Sequence, residues 1–69
     1  MKLNAVFMNK EGECYQVKML AIPSVGDIVP VFENMHLPRV SKVVWFPINI
    51  YPQLEKELGY IPDVVVCVD

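Results

Sequence analysis

The sequence is poor in the residues from which catalytic and metal sites are usually built. It has one histidine, His36, and two cysteines, Cys14 and Cys67, set far from it along the chain. A zinc site needs several such ligands at workable spacing, and a Cys–His nucleophile needs its base and an oxyanion hole beside it. Neither pattern occurs. The three glycines, Gly12, Gly26 and Gly59, stand alone, so no loop is suited to cradling a phosphate. Glu55 and Glu57 lie two apart in a helical stretch and face different ways. No catalytic residue, metal or cofactor is expected, and the chain reads as non-enzymatic.

Charge of one sign is also scarce. Six basic residues stand against eight acidic ones, a net charge of -2, with the signs interspersed. Generic nucleic-acid binding requires a basic stripe to displace counterions from phosphates, and a basic membrane-surface helix is equally missing. No apolar run approaches the roughly 18 residues of a membrane-spanning helix. The opening Met1–Lys10 is too short and mixed for a secretory signal. The two cysteines are therefore expected as reduced thiols in a cytoplasmic setting, inside the host cell if the protein is phage-encoded. A disulfide would require the first and last parts of the chain to lie adjacent.

What is abundant is apolar mass. Of the 69 residues, 54% are hydrophobic, too many for a disordered segment. The length allows one small domain, residues 1–69. Six prolines cut it into short pieces, which favours a mostly β fold. Residues 2–8 predict a first strand, and Asn9-Lys10-Glu11-Gly12-Glu13 a hairpin loop. Residues 14–22 alternate, with Tyr15, Val17, Met19 and Ala21 on one face and Gln16 and Lys18 on the other. Pro23 to Asp27 is a turn, with Gly26 and Asp27 as its natural formers. A third strand is expected over 28–32, at an edge because Pro30 cannot donate to a ladder. A fourth runs over 39–46 and stops at Pro47. Residues 52–58 predict a short helix, with Pro52 at its start, a Leu54/Leu58 stripe and Gly59 at its end. The last strand covers 63–68.

That last strand sets a packing problem. Val64, Val65, Val66, Cys67 and Val68 are apolar on both faces. Either the helix covers the second face or another chain does. Val43 and Trp45 on the fourth strand raise the same question. The surplus leads to the expectation of a homo-oligomer, with Val43, Leu54, Leu58, Val65 and Cys67 as its interface. The expected fold is a small five-stranded barrel or bent antiparallel sheet with one short helix before the last strand.

Within Ile22 to Val29, a Pro-x-Val-Gly-Asp-x-Val turn leads into a strand; Val40, Val43 and Trp45 follow, and a valine-rich strand closes the chain. Over residues 14–69 this resembles small uncharacterised SH3-like β-barrel proteins of bacteriophages and their hosts. The resemblance implies a barrel and a phage or bacterial cytoplasmic setting, and it transfers no catalytic residue. The helical insert at 52–58 departs from a minimal barrel of that kind.

Binding is thus the expected activity. His36, Arg39 and Lys42 cluster around one loop and strand start, where Arg39 could clamp a phosphate or carboxylate. Trp45 and Tyr51 flank Pro47 and could stack a base. With the phage resemblance, these five residues suggest a counter-defence protein that, as a homo-oligomer, sequesters a small anionic nucleotide-like signal. The alternative is an inhibitor or adaptor module that grips a host or phage protein through an exposed apolar strand face.

Overall fold

A strand that is apolar on both sides is stable only where both faces are covered and both edges are paired. A computed structural model, describing residues 2–32, 37–47 and 52–69, places the valine run in such a position. The strands are β1 (Leu3–Met8), β2 (Cys14–Met19), β3 (Val40–Trp45) and β4 (Val64–Val68), with one helix, α1 (Leu54–Leu58), between β3 and β4. The sheet order is β2-β1-β4-β3, so β4 lies between β1 and β3. It runs parallel to β1 and antiparallel to β3. The sheet is therefore mixed rather than antiparallel. The cause is the valine run itself, which fills the slot beside β1 because that slot is shielded on both faces.

Each face has its own core. Ala5, Phe7, Val40, Val64, Val66 and Val68 form one, against which Val17, Met19, Ile22, Val29, Val31 and Phe32 pack. Val6, Val44, Val65 and Leu54 form the other, joined by Met8, Leu58 and Cys67. The first face is roofed by the irregular segment 22–32, the second by α1. The helix follows its sequence signals: Leu54 is buried, and Gly59 adopts φ 80° and donates its N–H to the Glu55 carbonyl at 2.8 Å. It begins at Leu54, two residues after Pro52, which lies in the preceding turn.

The expected third strand is the main local difference. Among the described residues, the 28–32 segment contributes one isolated bridge, Ile28 to Arg39. Val29 N–H donates to the Pro38 carbonyl at 2.9 Å, and Val31 turns back to bond Val29. Pro30 interrupts the ladder, as its missing donor requires, and the segment serves as a lid on the first core.

The β1–β2 hairpin turns where expected. Asn9 is buried, and its Oδ1 accepts the N–H groups of Glu11 and Glu13, while Nδ2 donates to Glu13 Oε1 at 3.0 Å. Asp63 fastens the parallel pair: its Oδ2 accepts the Asn4 N–H at 2.9 Å, and its own N–H donates to the Asn4 carbonyl.

Because α1 covers its own copy's sheet, Leu54→Ala should cost about 2–4 kcal/mol. Urea denaturation should show this loss at every protein concentration. A midpoint that rises with concentration would place the helix contact between copies instead.

Candidate functional site

The surplus apolar surface is largely resolved inside one copy. Val65 is 0% exposed and Leu54 is buried beneath α1, so neither has surface to offer a second chain. Leu58, Cys67 and Val43 are half-buried. Of the two residues singled out on β3, Trp45 stays open, with 48% of its surface exposed, and Phe46 beside it is exposed at 75%; Leu20, Val25 and Leu37 are exposed as well.

Trp45 lies at the edge of the sheet, and its surroundings are built from the turn before it. Gly26 adopts φ 97°, a left-handed value that favours glycine. Asp27 Oδ2 accepts the Ser24 N–H at 2.8 Å, and the Asp27 N–H returns to the Ser24 carbonyl at 3.0 Å. The turn is fastened to β3 through Gly26 N–H to the Val40 carbonyl and Val40 N–H to the Asp27 carbonyl, both 2.8 Å. The result is a groove of about 340 Å³ lined by Ile22, Pro23, Ser24, Val25, Val43 and Trp45.

The backbone beside this groove is unusual. β3 is an outer strand, and the outward groups of Val40 are spent on the turn. A bulge between Val40 and Lys42 resets the alternation. Phe46 N–H points inward, to the Asp63 carbonyl at 3.0 Å. Counting back from it by twos, the backbone groups of Trp45 and Val43 point outward, and among the described residues they bond no neighbouring segment. Phe46 itself holds φ 52°, a strained value for a bulky side chain that typically costs about 1–3 kcal/mol. A strained, exposed aromatic thus sits beside edge groups that no described residue pairs.

Of the five residues expected to bind a ligand, the three described ones, Arg39, Lys42 and Trp45, do not converge. His36 and Tyr51 lie outside the described residues. Arg39 and Lys42 are exposed and, among the described residues, make no ion pair; Lys10 Nζ, by contrast, sits 3.7 Å from Asp69 Oδ1. Lys42 pairs with Cys67 on the helix-covered face, whereas Trp45 pairs with Val64 on the opposite face. Arg39, bonded to Asp69, and Trp45, paired with Val64, are separated by five residues measured along β4 and its end, about 17 Å at the usual rise. Neither cation therefore lies beside the Trp45 ring at the backbone level. Reading β3 alone kept these residues close in number while the pleat sent them to different faces. The contribution of Pro23 and Val25 was hidden because both read as turn residues.

The cysteines also resolve. Met8 pairs with Cys14 on β2 and with Cys67 on β4. Two strand spacings, about 10 Å, therefore separate the cysteines, beyond the roughly 7 Å limit for a disulfide. Neither forms a disulfide. Partial burial pushes the Cys14 thiol above its ordinary value, and the nearby Glu57 carboxylate raises it further. Its Sγ donates to the Gly12 carbonyl at 3.6 Å. Among the described residues no cluster of histidine, cysteine and acidic side chains could hold a metal ion, and no helix is long and apolar enough to cross a membrane.

Compared with protein-family models, curated proteins and solved structures, the chain matches none.

A raised thiol pKa means less thiolate at neutral pH and slower alkylation. Removing the negative charge in Glu57→Gln should lower that pKa and speed iodoacetamide labelling of the Cys14 peptide near pH 8, as followed by mass spectrometry. An unchanged rate would show that burial alone sets it.

Proposed function

We propose that this chain is a non-enzymatic binding protein whose working surface is the β3 edge with the Trp45 groove. It accepts an extended segment of another protein. The observation that carries this reading is the coincidence of two features at one place. Outward backbone donors and acceptors at Val43 and Trp45 lie beside an apolar groove of about 340 Å³. An added strand would bond the edge through its main chain and set alternate side chains into the groove. Lys42 on β3 discourages indiscriminate edge pairing, so a partner must supply groove contacts as well. This corresponds to the inhibitor or adaptor class, and a phage or bacterial cytoplasmic setting belongs to the proposal.

The nucleotide-sequestering reading is the weaker one, because neither Arg39 nor Lys42 lies beside Trp45 at the backbone level. A five-stranded, barrel-like closure belongs to the same proposal: the Ile28–Arg39 bridge and the packing of Val31 and Phe32 on the first core make 28–32 the natural fifth strand.

Selection from a random peptide library should enrich sequences with β-branched residues at alternate positions. Binding should protect the Val43 and Trp45 amides from hydrogen exchange. Trp45→Ala should weaken it by about 2 kcal/mol, roughly thirtyfold, while changing stability by less than about 1 kcal/mol because the ring is half exposed. The reading fails if no peptide is enriched or if Trp45→Ala binds normally. A dimer seen by light scattering and dissolved by Trp45→Ala would assign the groove to a second copy rather than to a foreign protein.

A further inference from the structure

The opposite edge of the sheet carries a different kind of surface. β2 is the other outer strand, and its helix-side residues are polar. The register places Asn4 directly across from Lys18 and Val6 across from Gln16, so Asn4, Gln16 and Lys18 share one face with the Val6 core. Tyr60, just beyond the helix, reaches across this face, and its hydroxyl donates to Gln16 Oε1 at 3.1 Å. The four residues, with Val17, line a groove of about 410 Å³, within the range of small-molecule sites.

The chemistry of this lining is asymmetric. Gln16 spends its oxygen on Tyr60, which leaves its Nε2 hydrogens. The Asn4 side-chain amide makes no hydrogen bond among the described residues, although the Asn4 backbone is fully engaged by Asp63. Lys18 makes no ion pair there either. Three nitrogen donors, one of them cationic, thus line one groove beside an aromatic ring, with the Asn4 Oδ1 as an acceptor among them. Asp63, the neighbouring carboxylate, is turned to the Asn4 N–H at 2.9 Å. Donors of this kind suit an anion, and the Tyr60 ring suits a flat apolar body.

We propose that the Asn4/Gln16/Lys18/Tyr60 groove is a binding site for a small planar anion, an aromatic ring bearing a carboxylate or a phosphate. Lys18 meets the charge, the two amides orient it, and Tyr60, fixed by Gln16, stacks on the ring. The site lies at the other edge of the sheet from the Trp45 groove and stands or falls independently of it.

The probes are benzoate, phenyl phosphate and neutral benzyl alcohol, titrated into the 15N-labelled 69-residue chain. The expected result is a saturable shift of the Asn4 and Gln16 side-chain NH2 signals with one or both anions and none with benzyl alcohol. The stronger anion identifies the carboxylate or the phosphate class. Lys18→Met, which keeps the aliphatic stem, should weaken binding about tenfold, and Tyr60→Leu should remove the ring contribution. Unchanged β1 and β4 amide signals in both variants would show that the fold is intact. The proposal is overturned if neither anion gives a saturable shift at those amides, if benzyl alcohol shifts them equally, or if Lys18→Met binds as tightly as the parent.

Discussion

The need of Val64–Val68 for cover on both faces and pairing along both edges organises this molecule. A strand with alternating polarity could have stayed at the rim. One that is apolar throughout must sit inside, and in a chain of this size every other element is then recruited to enclose it. β1 and β3 close its edges, α1 covers Val65, and the segment 22–32 covers Val64, Val66 and Val68. Two thin cores lie back to back on the two faces of the sheet, and the polar remainder is pushed to β2 and to the rims.

This enclosure also decides where binding surfaces can exist. The central strands are sealed, so only the outer strands and their flanks reach partners. The two flanks differ because their roofs differ. On the β3 side, the Pro23–Asp27 turn brings apolar residues against Trp45. On the β2 side, the chain leaving α1 brings Tyr60 against amides and a lysine. One flank suits an extended apolar segment and the other a small charged molecule.

Much of the fold could be read from the residues. The alternation of Tyr15, Val17 and Met19 gave β2 its faces, Gly59 marked the helix end, and the valine run announced a doubly covered strand. The direction and neighbours of that strand could not be read, since a two-sided apolar pattern fits parallel and antiparallel pairing equally well. The Leu54/Leu58 stripe covers Val65 and Cys67, while the surplus at Trp45 stays open. The candidate site was legible at Val43 and Trp45, apolar residues with no evident cover. Arg39 and Lys42 are close to it in number, yet the pleat and the bulge at Val40/Lys42 separate them in space. Asn4, Gln16, Lys18 and Tyr60 come together only through the register of β1 with β2 and the path after the helix, and no short motif records that.

The central place of β4 has a further consequence for how the chain is made. β1 and β2 form a hairpin whose strands are neighbours in sequence, so it can assemble as soon as it leaves the ribosome. β3 cannot join it, because the strand that belongs between them is the last of the four to be synthesised. Until that strand arrives, β1 and β3 have no partner along the edges they will share with it, and all cross-sheet pairing waits on long-range closure. The hairpin alone can seal neither core, so closing the sheet is the last and most long-range step in building the fold.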